Sequence, residues 1–426
     1  MPFVLLVALT LVAQAQPAPE QETLLQSAAK RITIGGQARF RAEYRDPVSY
    51  VNAPASSKSD DLYLSRLRLN LKVSATDDLD VFIQPQDQRV FGQEASVASD
   101  ERNLDLHQGF VEFRNLLGEP LSVKLGRQEF LYGDQRLVSS LDWHNVARAW
   151  DGARVRYAPK EFWAEAFYTV IKEGNGAAED QDFYGLYASC QAVPNYEFDL
   201  YVFRRQLRDN SFTGELGGVG DLQDTTAGAR VKGKAVGFDY TFEGMAQSGH
   251  LAKDEIRAYA FAGTFGYTAE CPWKPRIGVE YTWASGDRDP TDGKRGTFDP
   301  LFPFAHYYQG FADVFAFRNG QDLMVSVRAT PVEGVTIQLD GHTYRLVEDK
   351  DAWYHPITGA AIRRDATGSA DPRVGHELDL HARVTAGKFV KFWAGWSHVF
   401  AGPYIRQTAG PDRDMDWFFV QMTVDF

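Results

Sequence analysis

The stretch ITIGGQARFRAEYRD (32–46) decides how the rest of the chain is read. Ala38, Phe40, Ala42 and Tyr44 alternate with Arg39, Arg41, Glu43 and Arg45. Successive side chains of a strand point to opposite faces, so a period of two puts rings and methyls on one face and charges on the other. DDLYLSRLRLNLKVSA (60–75) repeats the arrangement. Leu67, Leu69, Leu71 and Val73 share one parity; Arg66, Arg68, Asn70 and Lys72 share the other. In a soluble sandwich the apolar face would be the core. In a membrane barrel it meets lipid, and the charged face turns inward.

The connections separate the two readings. Working outward from 32–46 and 60–75, alternating segments recur at 79–92, 103–117, 121–132, 147–158, 161–172, 183–193, 195–208, 223–234, 237–248 and 255–269. They continue at 275–286, 320–330, 335–347, 375–386, 389–400 and 415–426. That makes eighteen, an even number as bacterial barrels require. Connections after even-numbered strands are tight, as at Thr76-Asp77-Asp78, Pro159-Lys160 and Gly387-Lys388. Those after odd-numbered strands are mostly long and polar, as at 47–59, 209–222, 287–319 and 348–374. Short turns alternating with long loops predict an all-β, transmembrane antiparallel barrel of about eighteen strands, with turns in the periplasm and loops outside.

Composition agrees. No apolar run reaches the roughly 18–20 residues of a membrane helix, and 2 Cys in 426 residues make no disulfide framework. The run from Phe3 to Ala13, followed by Ala13-Gln14-Ala15, reads as a secretory signal peptide over 1–15. Residues 16–31 read as a periplasmic N-terminal tail, and 32–426 as a single transmembrane barrel domain. The last segment, MDWFFVQMTVDF, is amphipathic and ends on an aromatic ring, the kind of signal that barrel-assembly machinery reads. Cys190 and Cys271 fall on separated elements and are expected to stay unpaired.

GRQEFLYGDQRLV (126–138), RAWDGARV (148–155), YTWASGD (281–287) and GTFDPLFPFAHYYQGFADV (296–314) resemble the alginate export family of outer-membrane porins. The resemblance spans nearly the whole chain beyond the signal peptide, and the last stretch is its most specific part. It implies an eighteen-stranded monomeric barrel in the outer membrane of a Gram-negative-type bacterium. The founding member passes the polyanion alginate through an arginine-rich lumen; many relatives have no assigned substrate.

A channel needs a wet lumen and a selectivity field rather than a catalytic triad, and rings of Arg and Lys select anions. Strand parity and the motifs above mark Arg39, Arg41, Arg66, Arg68, Lys72, Arg127, Arg136, Arg148, Arg154, Arg156, Arg230, Lys232, Arg328 and Arg383 as the basic pathway. Guanidinium forks suit uronate carboxylates. The competing reading is that these cations pair with Glu43, Glu165, Glu197, Asp199, Asp239, Glu243, Glu280 and Glu377 and hold the wall together. Asp134 and Asp151, with Arg127, Arg136 and Arg148, suggest a constriction from an inward loop. The segment 287–319 is long for a connection and carries Phe298, Asp299, Phe302, Phe304, His306, Tyr307, Tyr308 and Phe311. Six rings are costly to leave in water, so this loop is expected to fold into the mouth as a gate or size filter.

Enzyme signals are weak: there is no HExxH and no GxSxG. Asp287-Arg288-Asp289-Pro290-Thr291-Asp292-Gly293 spaces oxygens as a calcium loop would, or as a solvated turn; no other cofactor is expected. Expected partners are outer-membrane lipid and lipopolysaccharide, an anionic saccharide cargo, the barrel-assembly machinery and periplasmic secretion partners. Nucleic acid is not expected, given the net charge of −12. The functional expectation is a channel for alginate-like or related anionic solutes. A general or small-solute porin is the alternative, and a surface enzyme the remoter one.

Overall fold

The computed structural model describes residues 30–92, 104–173 and 180–426. The expected signal peptide and nearly all of the expected tail lie outside the described residues. Strands follow in chain order: β1 (Ile32–Asp46), β2 (Asp60–Thr76), β3 (Leu79–Val90), β4 (Leu104–Phe113), β5 (Leu121–Gln128), β6 (Trp150–Tyr157), β7 (Phe162–Lys172), β8 (Gln181–Cys190), β9 (Tyr196–Thr213), β10 (Val219–Ala235) and β11 (Phe238–Leu251). Then come β12 (Asp254–Thr268), β13 (Arg276–Ala284), β14 (Lys294–Arg295), β15 (Gly320–Val332), β16 (Val335–Leu346), β17 (Ala352–Tyr354), β18 (Ala361–Arg364), β19 (Arg373–Ala386), β20 (Val390–Ala401) and β21 (Met415–Asp425).

Eighteen of these form one closed antiparallel barrel; β14, β17 and β18 belong to long loops. Each barrel strand pairs with the next, and β1 closes the ring against β21, with Gln37 opposite Asp425 and Asp46 opposite Asp416. The backbone amide of Gly36 donates to Phe426 O and that of Phe426 to Gly36 O, which carries the seam to the end of the chain. All eighteen strands stand where the alternation places them, within a few residues.

The parity is also as read. Phe40, Leu67, Leu69 and Val420 are exposed on the outer surface, whereas Arg39, Arg41, Arg66 and Arg68 are buried on the inner side. Exposed large apolar side chains in this number would be a liability in water; in lipid they are satisfied. Tyr44 with Phe418, Tyr168 with Tyr184, and Phe238 with Tyr267 make aromatic contacts on this outer face, as the girdles of outer-membrane barrels do.

The loop side differs from the sequence reading at two places. β9 and β10 run on to Thr213 and from Val219, so the connection expected at 209–222 shrinks to 214–218. Conversely β5 ends at Gln128 and β6 begins at Trp150, leaving a connection at 129–149 where strand had been expected to 132 and from 147. Phe130 and Tyr132 fall on the inward parity of Lys124 and Gln128 and are 1 % and 6 % exposed, packed inside the barrel beside Phe167 and Phe203.

Candidate functional site

Two loops enter the barrel and meet there: 129–149, between β5 and β6, and 285–319, between β13 and β15. Both carry too much apolar surface to remain in solvent. Leu137, Val138, Leu141 and Trp143 of the first are buried, as are Phe298, Phe304, Phe311, Phe315 and Phe317 of the second. Their backbones pair: Ser139 N donates to Phe302 O (3.0 Å), Phe302 N to Leu137 O (2.8 Å) and Phe304 N to Gln135 O (2.9 Å). His306 stacks on Trp143 with centroids 4.1 Å apart.

The first loop is held by cations of β1 and β2. Asp142 O accepts from Arg39 Nη1 (2.5 Å) and Arg66 Nη1 (3.1 Å), and the Asp142 carboxylate meets both Arg66 and Arg68 at 2.9 Å. Trp143 O accepts from Arg41 Nη1 (2.7 Å), whose guanidinium lies 3.8 Å from the Trp143 ring centroid, while Arg41 Nε meets Glu43 at 2.6 Å. Withdrawal from bulk water works against the charge of Asp142. Arg66, Arg68 and Arg39 outweigh it and hold the carboxyl below its ordinary range.

The second loop is held by carboxylates of β19. Ala312 N donates to Glu377 Oε1 (2.8 Å) and Phe311 N to Asp379 Oδ2 (3.3 Å); the Tyr344 hydroxyl donates to Gln309 O (2.9 Å). Asp299 pairs with Arg205 at 3.0 Å and with Arg318. Burial opposes its charge, but Arg205 and Arg318 keep the Asp299 carboxyl far below the usual carboxylate range.

Most of the other sequence-marked cations are also paired. Lys72 meets Asp80 (3.0 Å); Arg154 and Arg156 share Glu165 (3.5 and 3.3 Å); Arg136 meets Glu280 (2.9 Å). Arg230 joins Asp134 (3.1 Å), Asp199 (2.5 Å) and Glu197, and Lys232 reaches the same Asp134 (3.2 Å). Among the described residues Arg148 has no salt bridge: it donates to Pro303 O (3.1 Å), and burial lowers its pKa to about 10.

Arg127 and Asp151 do not join this inward set. They pair with each other at 2.8 Å, and Arg127 has the parity of Leu125, which is 46 % exposed on the outer face. Dense charge in sequence had grouped them with the loop; the pleat turns them away from it. The density around β5 and β6 therefore resolves into separate pairs rather than one cluster.

Arg328 and Arg383 are different. Both have inward parity near the turn end of the barrel, both are exposed, and among the described residues neither is ion-paired. Arg383 donates to the Tyr307 hydroxyl and lies 4.1 Å from the Trp393 ring centroid. The loops divide the interior, and the Trp143 ring borders a cavity on either side. One, of about 420 Å³, lies toward the loops with Arg41, Glu43 and Asp313 in its wall. The other, of about 470 Å³, lies toward the turns with Arg39, Tyr307, Trp393 and Gln421 in its wall. Asp142, Trp143 and Trp393 were missed in sequence. The first two sit in a segment read as loop, and a lone Trp on an inward parity is the only trace of the third.

In the run 287–293, Asp289 accepts from the Thr291 hydroxyl (2.6 Å) and Asp292 faces Lys294 (3.7 Å). Among the described residues no group of three or more His, Cys, Asp or Glu is placed to hold a metal ion.

The family model for alginate export matches residues 30–419. No curated protein sequence matches the chain. Among solved structures, the fold resembles three outer-membrane proteins of Pseudomonas aeruginosa. OccK11 (OpdR) has a TM-score of 0.61 at 12 % identity, over 93 % of this chain and 96 % of that one. OpdO has 0.61 at 11 %, over 93 % and 97 %, and OprD has 0.61 at 11 %, over 93 % and 94 %. At such identities the likeness is one of fold.

Proposed function

The chain belongs to the alginate export family of outer-membrane channels, and from that premise we propose that it conducts anionic saccharides or related anionic solutes past a constriction made by loops 129–149 and 285–319. The observation that carries the reading is the pair of exposed, inward guanidiniums below the constriction, Arg328 and Arg383, neither of which is in a salt bridge among the described residues. A cation without a partner in a narrow, low-dielectric passage projects its field on whatever passes, whereas a paired one largely cancels. Selectivity on this reading comes from a minority of the basic residues. Arg39, Arg41, Arg66, Arg68, Arg136 and Arg230 chiefly fasten the loops and wall.

A narrower reading, a porin for small anionic solutes, is favoured by the inward loops, since two loops meeting inside the barrel leave less room for a polymer. The setting on either reading is the outer membrane of a Gram-negative-type bacterium. Lipopolysaccharide would surround a monomeric barrel delivered by the assembly machinery, with cargo handed over by periplasmic partners. Passage requires no cofactor and no catalysis.

The test is reversal potential in planar bilayers under a salt gradient, at ionic strength low enough to leave charges unscreened. Wild-type protein should prefer anions, and Arg328→Gln with Arg383→Gln should move the potential toward cation preference. An unmoved potential removes both residues from the selectivity field. Block by uronate oligomers, compared with small organic anions, separates the saccharide reading from the small-solute one.

A further inference from the structure

Loop 285–319 hides nearly all its rings. Phe304 is 8 % exposed, Phe311 5 % and His306 0 %, yet Tyr307, in their midst, is 39 % exposed. It lies nearly parallel to the half-buried Trp393, with centroids 5.9 Å apart and planes 13° apart. Both rings border the 470 Å³ cavity on the turn side of the constriction. Arg383 lies 4.1 Å from the centroid of Trp393 and 5.2 Å from that of Tyr307. Of the five N–H donors on a guanidinium, the Tyr307 hydroxyl takes one; among the described residues Arg383 has no salt bridge, and the two carboxylates in the cavity wall are engaged elsewhere, Asp134 by Arg230 and Lys232 and Asp142 by Arg66 and Arg68.

We propose that Tyr307, Trp393 and Arg383 form a binding subsite for a uronate unit, on the periplasmic face of the constriction. The inference rests on the channel reading above and adds to it a place and a mode of recognition. The C–H face of a pyranose is apolar and faintly positive, and an aromatic ring face is electron-rich, so the two stack. The uronate carboxylate then takes a fork of the Arg383 donors. Ring and cation are already held in mutual contact, so little order is lost on binding. The cavity lies within the range of small-molecule sites, roughly 300–1,000 Å³. Neutral sugars would find the rings but no partner for Arg383. Simple anions would find Arg383 but no use for the rings. The subsite asks for both features in one ligand.

The experiment is block of single-channel current by solutes added to the periplasmic side of the full-length protein. The probes are a uronate tetramer, an uncharged oligosaccharide of the same length and the uronate monomer. The tetramer should block the wild type at concentrations at least tenfold below the uncharged oligomer, with the monomer between them if the subsite takes single units. Trp393→Ala should raise the half-blocking concentration about tenfold or more, while Trp393→Phe retains most of the block. Tyr307→Ser, on the loop rather than the wall, should act in the same direction and covers the case of a Trp393 variant that does not fold. Arg383→Gln should abolish the preference for the charged oligomer. Trp396→Ala, further along the same strand on its outward face, should leave the block as it is. If the tetramer blocks the wild type and both Trp393→Ala and Tyr307→Ser equally, the subsite is overturned while the channel reading stands. If no uronate blocks from either side of an anion-selective channel, the saccharide reading itself is lost and the subsite with it.

Discussion

Asp142 sits where three guanidiniums converge, and its behaviour sets how firmly loop 129–149 is held. Because its carboxyl is held below the ordinary aspartate value of 3.8, the anchoring is complete above that value. It is lost as pH falls through the lower value of the folded state. Single-channel traces should therefore be steady near neutral pH and become noisy under strong acid. Asp142→Asn should show the noise already at neutral pH; quiet traces in that variant would mean the loop does not depend on the carboxylate. Glu215, in the loop between β9 and β10, is the opposite case. Burial, and then a hydrogen bond with Asp287, push its pKa up to about 8. A raised carboxyl favours the protonated fold, so its contribution is present at low pH and is lost as pH rises through that value. Limited proteolysis of the outer loops should speed up between about pH 7 and 9 in the wild type, and Glu215→Gln should flatten that dependence. Neither role was legible in the sequence. Arg39, Arg41, Arg66 and Arg68 announced an inward basic stripe by parity alone, and Glu43 lies beside Arg41 in the sequence, but nothing in the order of residues says that the distant Asp142 will answer Arg66 and Arg68.

At the scale of elements, the long loop was readable and its partner was not. Six aromatic rings in one connection have no cheap place but the barrel interior, and that argument needs no tertiary information. Loop 129–149 escaped because the apolar run Phe130-Leu131-Tyr132 reads as more strand, although its rings at 130 and 132 fall on the inward parity of β5 and are buried in the lumen. Gly310 marks a tight point of the long loop. Its φ is +87°, and an added Cβ would stand 2.1 Å from the Tyr344 hydroxyl and 2.6 Å from the Glu377 carboxylate. Gly310→Val should cost about 1–3 kcal/mol in backbone strain alone, and it should lift the 309–312 segment off β19. The expected readout is a higher and more variable conductance at unchanged barrel content by circular dichroism. Deleting 290–316 carries the same idea further and should raise single-channel conductance clearly. A wild-type conductance after deletion would make the loop a support for the mouth rather than a constriction.

At the scale of the whole molecule, the eighteen-strand count and the short-turn, long-loop asymmetry came directly from period and spacing, because lipid imposes them on every strand alike. Closure is the one global property that no local segment expresses: β1 finds β21 across the full length of the chain. Cys190, at the turn end of β8, and Cys271, in the turn after β12, are free thiols in the structure. Labelling of unfolded, unreduced protein should count two reactive sulfurs. The closing seam also bears on the order of events in biogenesis. Asp142 can meet β1 and β2 as soon as the first six strands are side by side. The long loop, however, rests on Glu377 and Asp379 of β19, on Trp143, and against Phe419 of β21. Its seat is thus assembled from both ends of the chain and is complete only when the first and last strands stand together. A nascent barrel would carry only half of its obstruction until its final join, and the arrival of the second half would itself report that the wall is sealed.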